Sequence, residues 1–228
     1  MKSAWIFLLV AALLISFGSV AGAEERIMVD SLVATVENET ISIEDVYVET
    51  EILARTKIWF SLTEVPENPT EKLAFQEIIT RKLLYMQARK MGFAEVPPER
   101  VEAAMAEFRA TFSSPKAYHD WLMEHDLRDP GVKQTHKDLE HFRLITKRFY
   151  RRLVIANYLE KKIAVQVKLG RNAYLEKNEA KLRAAAPGAT EEQLIEMACK
   201  ALYNEKLQEH IAELRERSNV VIIRGRFL

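Results

Sequence analysis

The chain has a single cysteine, Cys199, so no internal disulfide can staple it and no cysteine-built zinc site can form. Glycine is equally sparse. Seven are present, and the five beyond residue 23 stand at positions 92, 131, 170, 188 and 225, with no two close enough to cradle a phosphate in a glycine-rich loop. Seven glycines and seven prolines in 228 residues are also few for an all-β architecture. Charge of one sign is missing altogether: 33 Lys and Arg balance 33 Asp and Glu, which argues against bulk electrostatic binding of nucleic acid. The five histidines, His119, His125, His136, His141 and His210, include no pair four apart, the spacing that turns two imidazoles to one helix face. Packing or surface roles follow for them. No Ser–His–Asp or Cys–His arrangement arises from spacing, and no cofactor or metal is implied.

What is present begins with an apolar run. Lys2 precedes Ala4–Ile15, and small residues then lead to Ala21-Gly22-Ala23, the small-x-small pattern read by signal peptidase. The charge-free stretch Ser3–Ala23 is long enough to span a bilayer as an uncleaved anchor. The interruptions at Ser16, Gly18, Ser19 and Gly22 and the cleavage pattern at Ala21 and Ala23 favour removal instead. The reading is a signal peptide over 1–23, an exported mature chain starting at Glu24, and no stable membrane insertion afterwards.

Beyond the signal, helical periodicity dominates. Leu32–Glu37 alternates as a short strand, Asn38-Glu39-Thr40 makes a turn, and Ile41 begins a second short strand. Ser42, three residues before Asp45, opens a helix to about Trp59. Thr70 caps a helix over Glu71–Met91, stopped by Gly92, and Pro97-Pro98 starts another that Ser113-Ser114-Pro115 breaks. Lys116–His125 follows. Asp129-Pro130 reads as an N-cap and first helical proline, with no breaker from Val132 to about Ile163, predicting one long helix there. Asn172–Ala186 is helical again, and Thr190 with Gln193 forms a capping box that opens a last helix to about Arg217. Asn219–Ile223 has the β-branched composition of a closing strand. Isolated short strands are unstable alone, so the first and last strands are expected to pair and bring the chain ends together. The fold class is mostly α in one domain: a helical body over 42–186, with helix 190–217 and strand 219–223 packing back on it.

In their order these motifs resemble the SurA-type periplasmic chaperones. VDSLVATVENETISIEDV is similar to the family's opening strand, turn and Ser/Thr-capped helix. Ala74–Phe93 resembles its second helix, with the Ala–basic–basic–apolar–Gly ending at Ala88 to Gly92. VPPERVEAAMAEFRATF, SPKAYHDWLMEHDL and the stretch from Pro130 continue the order, and NEKLQEHIAELRERSNVVI resembles the C-terminal helix and strand. The resemblance covers about Val29–Lys181 and Gln193–Ile223. Relatives commonly insert one or two parvulin-type prolyl isomerase modules before the C-terminal helix. Here about ten residues, Arg183–Glu192, occupy that place, and the parvulin histidine pair and Gly-Gly-x-Leu-Gly segment are absent. The resemblance therefore implies an ATP-independent chaperone for unfolded or partly folded polypeptides, outer-membrane or secreted, without isomerase activity. A dedicated subunit serving one folded envelope partner is the rival, and a homodimer is compatible with both.

Aromatics at loop edges and on adjacent helix positions are the candidates for client contact: Trp59 and Phe60; Phe112, Tyr118 and Trp121; and Phe149 with Tyr150. Consecutive helix residues lie about 100° apart, so one buried stripe is not expected to take both Phe149 and Tyr150. Cys199, among Met197, Ala198 and Ala201, is expected to be a buried thiol. Charge is blocked along the chain. Residues 24–70 hold 11 acidic and 3 basic side chains, and residues 129–171 hold 11 basic and 4 acidic. The densest basic stretch, Lys147–Arg152, is expected to pair with the acidic first helix through Glu44, Asp45, Glu49 and Glu51, with anionic lipid head groups as a second reading.

Overall fold

The computed structural model describes residues 32–56, 67–129 and 143–227. The signal segment, Trp59 and Phe60, and His136 and His141 lie outside them. The fold is mostly helical, with one small sheet. Strands β1 (Leu32–Val36), β2 (Glu39–Ser42) and β3 (Val220–Ile222) lie in the order β2-β1-β3, both pairs antiparallel. The ends of the described chain therefore meet, as strand instability requires: Thr35 pairs with Val221 and Val36 with Val220. The β1–β2 turn comes earlier than the sequence suggested. Glu37 adopts φ 53 and turns the chain with Asn38, its amide donates to Asn219 O at 2.8 Å, and its carboxylate accepts from the Asn219 amide at 3.0 Å. Closing the sheet through that side chain fixes the turn there, and Glu39 and Thr40 become strand.

Helix α1 (Ile43–Thr56) begins where the Ser42–Asp45 pair places it. Asp45 N donates to Ser42 Oγ at 3.1 Å, and Ser42 N donates to Asp45 Oδ2 at 3.0 Å. Thr70 caps α2 (Glu71–Lys90) through the Leu73 amide. At its far end Gly92 takes φ 83, its amide donates to Arg89 O, and the Phe93 amide reaches Ala88 O at 2.9 Å. This double closure needs a left-handed residue, which glycine adopts at no steric cost. Helices α3 (Pro98–Ala110) and α4 (Pro115–Glu124) both start on proline, and Ser114 caps the second.

Of the single long helix expected from Val132 to Ile163, residues 132–142 lie outside the described residues, and the described part starts later than expected. Arg143 is non-helical, Leu144 bridges in parallel to Arg128, and α5 (Ile145–Leu159) begins only at Ile145. The Arg128 amide donates to Arg143 O at 3.1 Å and the Ile145 amide to Arg128 O at 3.2 Å, a clasp that seats buried Leu127 and Leu144. The Asp129 carboxylate accepts from Tyr118 Oη at 2.6 Å and Arg109 Nη2 at 3.1 Å, tying α4 to the end of α3. Absence of a breaker is permission for a helix, not a cause of one. Past Leu159 a π turn (Glu160–Ala164) leads straight into α6 (Val165–Ala185), so the rod from Ile145 to Ala185 runs roughly 60 Å.

Helix α7 (Glu191–Arg217) opens with the expected box: Gln193 N donates to Thr190 Oγ1 at 3.3 Å and Thr190 N to Gln193 Oε1 at 2.8 Å. It folds back along α6, and Gly170 explains how closely. A Cβ there would meet Leu202 Cδ2 at 3.3 Å, tighter than most side-chain contacts, so the glycine accepts its helix-interior cost of about 1 kcal/mol to let the two helices approach. Cys199, on α7, is half-buried against the core rather than fully buried, because the hairpin encloses only one side of it. Beyond β3 a short 3-10 turn (Gly225–Phe227) buries Phe227 against Phe75, ring centroids 5.6 Å apart.

Candidate functional site

The aromatic candidates among the described residues are buried or half-buried, while Trp59 and Phe60 lie outside the described residues. Phe149 is 2 % exposed and Tyr150 7 %, contrary to the expectation that one stripe could not hold both. That expectation assumed a surface helix. Helix α5 is the central one, packed against α2 on one side and α3 on the other, so two faces are buried and ten of its residues are buried, eight of them in the hydrophobic core. Phe149 packs on Phe108 with ring centroids 5.1 Å apart and planes tilted by 43°, and Tyr150 donates its hydroxyl to Ala94 O. Tyr118 and Trp121 are likewise buried, and with half-buried Phe112 they surround Phe108 edge-on. Trp121 Nε1 donates to Glu51 Oε2 at 2.6 Å, and Arg55 lies over the Phe112 ring at 4.1 Å. These residues hold α1, α3, α4 and α5 together and offer no groove to a client.

The opposite-charge blocks do meet. A cleft of about 450 Å³ opens between the β1–β2 turn, α1, α2 and α5. Helical spacing builds its walls: Asp45 and Glu49 one turn apart on α1, Arg81, Lys82 and Tyr85 on α2, and Lys147, Arg148, Arg151 and Arg152 on α5. Ile78, Leu127, Leu144 and Ile155 give it apolar surface, and Arg143 comes from the clasp.

Glu49 sits at the centre, 3 % exposed. Its Oε1 accepts from Arg152 Nη2 at 2.5 Å and from Arg81 Nη1, while Arg81 Nη2 lies 3.0 Å from Glu77 Oε2. Arg148 Nη2 donates to Asp45 Oδ1 at 2.6 Å. Glu39 accepts from Lys82 Nζ at 2.6 Å and Arg151 Nη1 at 2.9 Å, and Arg151 lies over the Tyr85 ring at 4.7 Å. Burial would raise each carboxyl, but the cations outweigh it. Lys82 and Arg151 hold Glu39 down to about 2, Arg148 with the Ser42 cap holds Asp45 down to about 2, and Arg152 with Arg81 lowers Glu49. Arg152 is pushed the other way. Burial, with Arg81 and Arg148 nearby, lowers it to about 10 although Glu49 opposes this.

Of the four acidic residues expected to meet the basic stretch, Asp45 and Glu49 do so. Glu44 and Glu51 instead flank buried His125, whose Nδ1 lies 2.6 Å from Glu44 Oε1 and Nε2 3.4 Å from Glu51 Oε1. Buried His210 pairs with Tyr158 Oη at 2.7 Å, and burial with Lys162 nearby lowers its pKa. Sequence reasoning missed Glu39, Arg81, Lys82 and Arg143. The blocked charge was a signal for Glu39 and Arg143 alone, since Arg81 and Lys82 lie outside both blocks and their convergence depends on how α2 packs. Among the described residues no group of three or more His, Cys, Asp or Glu is placed to hold a metal, and no described helix is long and apolar enough to cross a membrane.

No family model, no curated protein and no solved structure matches this chain.

Proposed function

We propose that this chain is an exported, ATP-independent chaperone that holds unfolded outer-membrane or secreted polypeptides in the periplasm, without prolyl isomerase activity. The observation that carries this reading is apolar surface left uncovered on the α6–α7 hairpin. Val165 and Leu169, one turn apart on α6, are 52 % and 82 % exposed. Exposed Met91 and Met123 add flexible apolar contacts, and Val221, Ile222 and Ile223 leave the β3 edge apolar. Small, separated patches of this kind suit weak contacts at many points, from which a client can leave without an energy source. The resemblance to SurA-type chaperones and the export pattern at Ala21 and Ala23 point the same way, as does the joining of the first and last strands.

The test is light scattering from a denatured outer-membrane β-barrel protein diluted out of urea, with and without residues 24–228. Suppression of aggregation at near-stoichiometric chaperone is the expected result. No suppression, together with one stoichiometric folded partner recovered from envelope extracts, would assign the chain to the interaction-subunit class.

A further inference from the structure

The two edges of the sheet differ. On β2, Glu39 accepts from Lys82 and Arg151, so charge covers that edge. On β3 neither charge nor proline interrupts Asn219–Ile223, and Val221, Ile222 and Ile223 are 46 %, 37 % and 50 % exposed. The pleat decides which backbone groups this second edge offers. The Glu37 amide donates to Asn219 O, the Ile223 amide donates to Val33 O, and Val221 pairs with Thr35. Residues 219, 221 and 223 therefore turn their backbone towards β1. Alternation turns the N–H and C=O of Val220 and Ile222 the other way. Among the described residues no strand lies on that side. At Arg224 the amide turns back to Val33 O, which ends the open edge.

Exposed apolar side chains are covered by any apolar surface, but donors and acceptors at strand spacing are matched only by another extended backbone. We infer that the β3 edge takes up an extended, uncharged segment of unfolded polypeptide as a fourth strand. Its backbone pairs with Val220 and Ile222. Its β-branched or aromatic side chains cover Val221 on one face of the sheet and Ile222 on the other. That the occupant is unfolded chain rests on the chaperone reading. A second copy of this chain fits less well. Three exposed side chains, none more than half exposed, offer a fraction of the roughly 1,000 Å² that a stable interface buries. A contact this small forms and breaks readily. It also reads strand propensity and not a fixed sequence, as the strands of an outer-membrane β-barrel require before they close on one another.

Fluorescence anisotropy of a labelled peptide tests this: alternating Thr and Val, with flanking lysines that keep it monomeric, titrated with residues 24–228. Saturable binding is expected. It should weaken tenfold or more when the central amides of the peptide are N-methylated, which keeps the side chains but blocks strand pairing. Ile222→Pro should weaken binding as much, because the ring replaces an amide that faces away from β1 and leaves the β1–β3 hydrogen bonds intact. Circular dichroism establishes that this variant is folded, and Val221→Lys, which sets a charge on the open edge, serves if it is not. The proposal is overturned if the peptide fails to bind, if its N-methylated form binds as well, or if the folded edge variant binds as tightly as the parent. Sedimentation without peptide addresses the other occupant: a dimer that the edge variant dissolves assigns the edge to a second copy and also overturns the proposal. Aggregation suppression by the same preparation tells the two readings apart. Suppression without peptide binding removes strand addition and leaves the chaperone. Edge-dependent peptide binding without suppression keeps strand addition and sinks the chaperone reading.

Discussion

Helices α5 and α6 are two halves of one rod, yet ten of the 15 residues of α5 are buried and only two of the 21 residues of α6, Val167 and Leu182. The π turn at Glu160–Ala164 marks the change. Before it the rod runs through the body, wedged between α2 and α3 with aromatic rings on one face and guanidiniums on another. After it the rod leaves the body and has α7 as its main companion. There a separate small cluster of Leu182, Leu194 and Ala198 closes the hairpin. Stability is set by what lies beside a helix and not by its continuity. The body should unfold as a unit, while the hairpin tip should open at lower free energy.

The sharpest way to break this comparison is to remove residues 219–228. The truncation takes away β3, which pairs one side of β1, and Phe227, which is 2 % exposed against Phe75. Burial of one phenylalanine alone is worth about 3–5 kcal/mol, so urea denaturation should show a larger loss than that, carried by the body and not by the hairpin. A truncated chain with an unchanged midpoint would mean that the sheet contributes nothing to the body.

Somewhat smaller is the effect of Glu49→Ala. It strands Arg152 and one donor of Arg81 in a site from which water is largely excluded, at a cost of about 3–5 kcal/mol. Adding Arg152→Met should recover part of that loss, and the double-mutant cycle measures how much of the pair's strength is repair of its own burial.

The sheet and most helix starts were legible in the sequence because their causes are local. Ser42 with Asp45, Thr70, Ser114 and Thr190 with Gln193 each satisfy helix amides within three residues, and β-branched Val220–Ile222 needed a partner that β1 could supply. The start of α5 was not legible. Nothing local at Arg143 or Leu144 bars a helix, and their non-helical backbone goes with the bridge to Arg128, a partner that only the packing brings near. The burial of Phe149 and Tyr150 was hidden for a related reason. Periodicity reports how many faces of a helix are apolar, and Arg152 and Lys147 made α5 look half-solvated when the charges of this helix in fact meet α1 and the β1–β2 turn. The cleft was half legible, through the blocks of opposite charge but not through Arg81 or Lys82, which lie outside them.

Acid should separate the two regions further. Glu39 and Asp45 have ordinary values of 4.5 and 3.8 and lie at about 2 in the folded body. Glu49 is lowered as well. Between about pH 4.5 and pH 2 the unfolded chain binds protons that the folded one refuses, so stability present above that window is lost as pH falls through it. Thermal melting from about pH 6 to about pH 2.5 should show the body losing stability steadily. Hydrogen exchange should show the tip of the hairpin, where Glu179–Arg183 is an exposed pair, changing little. Equal acid sensitivity in both regions would erase the distinction.

The smallest effect on folding is expected from the residues that matter most to the chaperone reading. Val165 and Leu169 are 52 % and 82 % exposed, so replacing both with Ser removes little buried contact. Folding should shift within about 0.5 kcal/mol, the range of surface substitutions away from special features. Val167, which lies between them in sequence, is 8 % exposed and packs inward, so it cannot stand in for them on the open face. If this face holds clients, the double variant should suppress aggregation of a denatured outer-membrane protein less well than the parent while melting at nearly the same temperature. Phe149→Ala gives the contrasting pair of readings, with a stability loss of about 3–5 kcal/mol and any drop in holding explained by unfolding. Unchanged holding in the Val165/Leu169 variant would move the client surface off α6, leaving Met91, Met123 and the β3 edge as the exposed apolar surface among the described residues.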